Sequence, residues 1–361
     1  MQDASYILVA LELAKKGKGY VSPKPLTGAL VVKNNKIVSA AYRSLAKDES
    51  AELTAVKICK DNVEGGTLYT NIEPCSLTDN SEEYIDAIVN SKIKRVVIGA
   101  LINEQENSVI KKFKKSGIEV TSGLLEKECN EINKFFIKHN TTGLPYVTLK
   151  MAVTVDGKIA DSTGNSKWIT SVESRSLVHE LRSEYDAVLV GCDTVKKDKP
   201  QLTVRLVEGR NPKRIILDSN LDLKCSSDLI KKNDDGNLMI VTATRNKDQT
   251  KKLKKLYDNN VNVLFCKEDR EGKIDLLTLM KKLGKLNINS LLVEGGGKLF
   301  TSFLKKKLED EIMIFIGPKI LGEGISLCNE LGINGLSKAY KYTIKDLDKV
   351  GEDVLLKMIR R

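Results

Sequence analysis

Histidine is nearly missing from these 361 residues: there are two, His139 and His179, beside a single tryptophan, and aromatic residues make up 5%. So few aromatic rings leave little to stack nucleic-acid bases upon. No window approaches about 18 uninterrupted apolar residues, so nothing reads as a membrane span. The N-terminal run Met-Gln-Asp-Ala-Ser-Tyr6 lacks a basic region followed by an apolar stretch, which speaks against a secretory signal; a cytoplasmic protein is expected. The seven cysteines are odd in number and scattered, without a Cys-x-x-Cys pair, as fits reduced thiols and not a disulfide framework. What is abundant is lysine. The net charge of +11 falls in short runs, such as Lys111-Lys112-Phe113-Lys114-Lys115 and Lys305-Lys306-Lys307, that read as solvated helix faces, so no nucleic-acid partner is expected.

At 41% hydrophobic and 30% charged, the composition is that of an ordinary globular protein, and the length favours two domains. Apolar residues from Tyr6 to Ala14 recur at helical spacing and stop at Gly17. Thr27–Val32 and Lys36–Ala41, joined by Asn34-Asn35, read as a hairpin. Helices over Ala51–Lys60, Ser81–Asn90 and Leu125–Lys138 alternate with strands Gly66–Asn71 and Arg95–Gly99, which predicts a layered α/β domain. The polar, Gly- and Pro-containing segment His139–Pro145 reads as a linker. Beyond it the alternation resumes, with strands Tyr146–Val153, Ala187–Val190, Arg214–Leu217, Leu238–Val241, Ser290–Val293 and Glu311–Ile316. Helices Val172–Ser183 and Lys298–Lys305 accompany them, and a strand pair near Tyr340–Asp346 and Asp353–Met358 closes the chain.

Three clusters in this second half carry chemistry. In Lys150–Ala160 a strand ends at an Asp156-Gly157 turn, followed by Ser166-Lys167-Trp168; alone it also reads as strand, turn, strand with a core tryptophan. Arg182 and Arg205 bracket the Gly191–Leu202 loop and suit bidentate phosphate contacts, although either also reads as a surface charge. Glu294-Gly295-Gly296-Gly297-Lys298 stands at a strand-to-helix junction, where glycines let backbone N–H groups approach a pyrophosphate; a plain tight turn reads equally well.

In order and spacing these clusters, with Leu217-Asp218-Ser219 and Gly317-Pro318-Lys319, resemble the reductase domain of the bifunctional riboflavin-biosynthesis deaminase/reductases. The resemblance implies a dihydrofolate-reductase-like α/β fold over residues 145–361 and NADPH-dependent reduction of a ribosyl group to ribityl. It places Ala152, Trp168, Thr194, Asp198, Ser219, Gly296, Gly297, Lys298 and Thr301 around NADPH. Ser166, Arg182, Leu202, Arg205 and Glu294 would contact the substrate, with Lys150, Asp156 and Glu294 as the catalytic group of the cleft.

Residues 1–144 resemble the matching deaminase, a cytidine-deaminase-like three-layer α/β/α domain, through Ser22-Pro23-Lys24-Pro25, Ser50-Ala51-Glu52 and Thr67–Ser76. That family binds zinc through one His and two Cys. Here Ser50 stands at the His position and Tyr84 at the second Cys position, leaving Cys75 and the proton-shuttle glutamate, Glu52. Arg43 also replaces a histidine, and Leu77, Asp79, Glu82 and Glu83 depart from the substrate loop. Zinc is expected to be absent and Glu52 vestigial. The expectation is an NADPH-dependent 5-amino-6-(5-phosphoribosylamino)uracil reductase with a pseudo-deaminase domain, forming a homo-oligomer and acting on a small phosphoribosylamino-pyrimidine. Two alternatives stand beside it: a working bifunctional enzyme with an atypical metal site, and a reductase of another phosphoribosylamino substrate.

Overall fold

The computed structural model describes residues 2–74, 81–102 and 108–361. The chain divides after Thr141 into two units.

The first unit contains α1 (Gln2–Lys15), β1 (Gly28–Lys33), β2 (Lys36–Tyr42), α2 (Ala51–Cys59), β3 (Thr67–Ile72), α3 (Ser81–Asn90) and β4 (Arg95–Ala100). α4 (Ser108–Lys115), β5 (Glu119–Ser122), α5 (Glu126–Ile132) and α6 (Lys134–Thr142) follow. The strands lie in the order β2-β1-β3-β4-β5, with β1 antiparallel to both neighbours and β3, β4 and β5 parallel. Strand side chains alternate between faces, and here both faces are apolar. Ala29, Val31, Val96 and Ile98 meet Ala55 of α2, Ile88 of α3 and Phe113 of α4. Leu30, Val32 and Val97 meet Ile7 and Leu11 of α1 and Cys129 of α5. The expected three layers are present. Asn34 and Asn35 both adopt the left-handed conformation, φ 51° and 58°, that a two-residue hairpin turn requires.

The second unit contains β6 (Tyr146–Thr154), β7 (Lys158–Ala160), α7 (Val172–Glu184), β8 (Ala187–Gly191), α8 (Cys192–Asp198), β9 (Lys213–Leu217), α9 (Asp228–Lys231) and β10 (Leu238–Ala243). Then come α10 (Thr250–Tyr257), β11 (Asn262–Cys266), α11 (Leu276–Lys285), β12 (Ser290–Val293) and α12 (Gly297–Lys306). β13 (Glu311–Gly317), β14 (Ile325–Ser326), β15 (Tyr342–Val350) and β16 (Asp353–Arg360) complete it. Nine strands form one sheet in the order β11-β10-β9-β8-β12-β6-β13-β16-β15, parallel from β11 to β13 and antiparallel beyond. Parallel strands need helical crossovers, and these cover both faces. On one face Leu279 and Leu283 of α11 and Phe300 and Phe303 of α12 pack on Leu149, Leu189 and Val241. On the other, Leu253 and Leu256 of α10 and Val195 of α8 pack on Val188, Val190, Ile216 and Ile240. The C-terminal ends of β6, β8, β9 and β12 open on a crevice between crossovers, the usual ligand position of such sheets. Among the described residues, no helix is long and apolar enough to cross a membrane.

Three readings of the sequence need correction. The division between the units falls inside His139–Pro145, but that segment is not irregular throughout: α6 runs through His139 to Thr142, with Thr141 Oγ1 donating to the Ile137 carbonyl at 2.8 Å. Gly143, at φ +69°, then stops the helix. The helix expected over Leu125–Lys138 breaks at Asn133, whose side chain accepts from Leu26 N–H at 2.8 Å and donates to its carbonyl at 3.0 Å. The loop bracketed by Arg182 and Arg205 contains α8, which ends where Lys199 turns left-handed at φ +46°.

Leu149 sits fully buried at the centre of the second sheet. Leu149→Ala leaves a cavity there and should cost about 2–5 kcal/mol in denaturant unfolding of the full chain. A loss below about 1 kcal/mol would mean that this core is not packed as described.

Candidate functional site

A cavity of about 1290 Å³ opens where β6, β8, β9 and β12 end. The strands supply the wall from the middle of β6 (Lys150 and Ala152), from the ends of β8 and β9 (Val190 and Gly191, Leu217 to Ser219), and just past β12 (Glu294). Glu294 N–H donates to the Leu189 carbonyl at 2.9 Å, which fixes the residue to the neighbouring strand before the chain turns. α12 then begins at Gly297, with Gly296 before its first turn in extended backbone. A Cβ at Gly296 would meet nothing within 4 Å, whereas one at Gly297 would lie 3.0 Å from the Ser326 carbonyl and 3.1 Å from that of Leu327. The open side at Gly296 and the first N–H groups of a ten-residue helix form a cradle for a pyrophosphate, so these residues fit a dinucleotide cofactor.

Beside this turn lies a buried ionic centre. Arg182, from the last turns of α7, donates through Nε to Glu294 Oε1 at 2.7 Å and through Nη2 to Oε2 at 2.9 Å. Both side chains are nearly closed to solvent, at 12% and 11% exposure. Burial pushes the Glu294 carboxyl up, but the charge and hydrogen bonds of Arg182, aided by Lys150, outweigh it and hold it below the ordinary range. For Lys150 burial wins: its amine, 5.3 Å from the Phe315 ring centre, is pushed down despite Glu294. One turn before Arg182, His179 accepts the Arg205 N–H at Nδ1 (3.0 Å). Burial first, then the charges of Arg182 and Arg205, lower its pKa to about 4.

The cavity gathers Lys150, Ala152, Ser166, Arg182, Thr194, Asp198, Leu202, Ser219, Glu294, Gly296, Gly297, Lys298 and Thr301. Three of the expected site residues lie elsewhere. Trp168 is 62% exposed and stacks against Arg175, whose Cζ is 4.3 Å from the ring centre. Arg205 is exposed and outside the lining. Asp156 is outside it too, because its carboxylate accepts from the backbone N–H groups of Leu321 and Gly322. Arg182 also differs from expectation: Glu294 occupies the guanidinium face that a phosphate would take. The sequence reading missed Arg245, Lys273 and Asn329, which also line the cavity and come from segments without a motif.

In the first unit Glu52 is buried in α2; Oε1 accepts from Thr70 Oγ1 at 2.7 Å, and Oε2 has no partner among the described residues. Arg43 is buried as well, with Nε and Nη1 unmatched among the described residues. Ser50 Oγ accepts from Leu53 N–H at 3.3 Å and so caps the start of α2. Cys75, Leu77 and Asp79 lie outside the described residues, as do the side chains of Glu82, Glu83 and Tyr84. A neutral hydroxyl already used as a helix cap is a poor zinc ligand, and Ser, Cys and Tyr do not fit the one-His, two-Cys set. Among the described residues no group of three His, Cys, Asp or Glu is placed to hold a metal.

Comparison with known proteins agrees with this geometry. Residues 145–356 match the RibD C-terminal domain, and residues 1–100 match the cytidine and deoxycytidylate deaminase zinc-binding region. The chain is 42% identical to the riboflavin biosynthesis protein RibD of Aquifex aeolicus, over 98% of this chain and 97% of that protein. With the Escherichia coli RibD it shares 32% identity over 99% and 100% of the two chains. Among solved structures, Acinetobacter baumannii RibD superposes with a TM-score of 0.89 at 29% identity, covering 100% of this chain and 99% of that one. The diaminohydroxyphosphoribosylaminopyrimidine deaminase/5-amino-6-(5-phosphoribosylamino)uracil reductase of Thermotoga maritima gives 0.87 at 35% identity, covering 100% and 99%.

The buried imidazole makes stability depend on pH. Unfolded, His179 takes a proton near its ordinary value of 6.5; folded, it stays neutral down to about 4. The unfolded state therefore binds more protons in that window, and stability falls as pH drops from about 6.5 to about 4. His179→Asn keeps an acceptor for the Arg205 N–H and cannot titrate. Its melting temperature should decline less than the parent's across this range. Equal declines would show that His179 is not held neutral.

Proposed function

The chain belongs to the RibD family of riboflavin-biosynthesis proteins, and from that premise we propose that it is an NADPH-dependent 5-amino-6-(5-phosphoribosylamino)uracil reductase whose first unit carries no zinc and does not deaminate. The observation that carries the reading is the meeting, in one cavity, of an open glycine turn at a helix N-terminus with the buried Lys150, Glu294 and Arg182. NADPH, when bound, supplies the hydride that turns the ribosyl carbon into ribityl. Gly296, Gly297 and Lys298 would hold its pyrophosphate, and Ala152, Thr194, Asp198 and Ser219 would line its length.

The chain's own work is positioning and proton transfer. As the sugar ring opens, its ring oxygen needs a proton. Lys150, its ammonium form weakened by burial, releases one more readily than a solvated lysine and regains it from solvent afterwards. Glu294, held as the carboxylate by Arg182, accepts hydrogen bonds from sugar hydroxyls and orients the amine of Lys150. Ser166 and Leu202 bound the substrate side, and Arg205 brings an exposed guanidinium for its phosphate. A homo-oligomer remains part of the proposal, supported by Ile344 and Leu347, apolar and exposed on the edge strand β15.

The purified protein should oxidise NADPH with the deaminated pyrimidine and release no ammonia from the undeaminated one. Elemental analysis should return far less than one zinc per chain; about one zinc per chain, or ammonia release abolished by Glu52→Gln, would establish a live deaminase. Lys150→Gln should cut kcat by about 10²–10⁴-fold while NADPH still binds. An unchanged kcat would remove Lys150 from the proton step.

A further inference from the structure

Asp156, which lies outside the cavity, is engaged by a distant part of the chain. Its Oδ1 accepts from Thr154 Oγ1 at 2.6 Å and from Leu321 N–H at 3.0 Å, and its Oδ2 accepts from Gly322 N–H at 2.7 Å. Val155 N–H donates to the Lys319 carbonyl at 2.8 Å, so the turn at residues 319–322 is tied to the end of β6. These donors stabilise the charged form: the hydroxyl of Thr154 first, then the backbone N–H groups, bring the carboxyl to about 2.

From that anchor the chain runs on as a strap. β14 pairs with β7, Ile325 opposite Ala160, and Leu327 N–H donates to the Gly157 carbonyl at 3.0 Å. The strap then crosses the first turn of α12. Asn329 N–H donates to Thr301 Oγ1 at 2.8 Å, and Asn329 Oδ1 lies 3.6 Å from where a Cβ on Gly297 would stand. Ser326 and Leu327 carbonyls crowd the same glycine. Ile325, Asn329 and Glu330 face the cavity. The amide of Asn329 is thus brought beside the N–H groups that cradle a pyrophosphate.

We propose that Asp156 is a positioning residue for the nucleotide, fixing the strap of residues 319–330 so that Asn329 becomes a further contact for the cofactor's phosphates at the start of α12. The inference rests on the NADPH reading of this cavity. Asparagine at position 156 keeps the shape but turns an amide N–H toward one of the donors, which loosens the anchor. A carboxamide contact to phosphate, once lost, is expected to weaken binding on the order of tenfold.

The test uses the full chain, with NADPH binding followed by fluorescence, steady-state kinetics, and melts to establish folding. Asp156→Asn should raise the Kd and KM for NADPH about tenfold, with kcat at saturating NADPH within about threefold of the parent. Asn329→Ala, an exposed side chain whose backbone bond survives, should do the same even where Asp156→Asn folds poorly. The double variant should bind no more weakly than the weaker single, because both act through one strap. NADPH affinity unchanged in Asn329→Ala, additive losses, or a fall in kcat with unchanged KM would overturn the proposal. A parent chain that does not bind NADPH would overturn the cofactor reading and this inference with it, whereas a binding parent with equally binding variants overturns the strap alone.

Discussion

A carboxylate buried at the end of a parallel strand must be met by a cation, and in the second unit Arg182 meets Glu294 with two parallel hydrogen bonds. Breaking such a pair leaves an uncompensated buried charge at a cost of about 3–5 kcal/mol. The pair therefore fixes where α7 ends relative to β12. It also orders what surrounds it. The guanidinium favours neutral His179 one turn earlier, and it joins burial in weakening the ammonium of Lys150. Glu294 is in turn the residue from which the glycine turn departs. One ion pair thus couples the acid–base group of the cavity to the cradle beside it.

This coupling depends on the sheet. Side by side, parallel strands bring their C-terminal ends to one edge, and the order β9-β8-β12-β6 sets four of them around a single crevice. Parallel β13 and the antiparallel β16 and β15 beyond it add no residue to the lining of that crevice but support α7: Met313, Phe315 and Leu355 pack against Val178. Ser171 caps α7 by accepting from Ser174 N–H at 3.3 Å, and Asp353 of β16 accepts from Ser171 N–H at 2.7 Å. The helix that carries Arg182 is consequently held at its start by the antiparallel strands and at its end by the parallel ones.

What the sequence disclosed follows from the range of the forces involved. α1, the first hairpin and the strands from β6 to β13 that it revealed are written in apolar periodicity and turn residues, which are local. Lys150, Arg182 and Glu294 were legible because the clusters around them kept their order and spacing. α8, α10 and α11 were not: α8 spans seven residues and α10 gives only Leu253 and Leu256 to the core, whereas α11 was overlooked although Leu276, Leu279, Met280 and Leu283 recur at helical spacing. Asp156 stands outside the cavity lining, which the sequence did not disclose for another reason. Its partners lie 165 and 166 residues away, and no local pattern marks a carboxylate that binds backbone N–H groups across such a gap. Trp168, a core tryptophan on the plain reading and a neighbour of NADPH by resemblance, is exposed, with its face given to Arg175.

The packing of the first unit stands apart from Ser50, the residue at one zinc-ligand position of the related deaminases. Its two cores, Ala29 to Phe113 on one face of the sheet and Ile7 to Cys129 on the other, do not include Ser50. Ser50 lies at the start of α2, which it caps at no expense to packing. Glu52 is different, because it is buried inside α2 with one oxygen unmatched among the described residues, and Arg43 is buried nearby in sequence with two nitrogens likewise unmatched among them. Both give this unit a polar interior that its apolar cores carry. Serine at position 50 therefore bears on the chemistry of this unit and leaves its three-layer architecture intact.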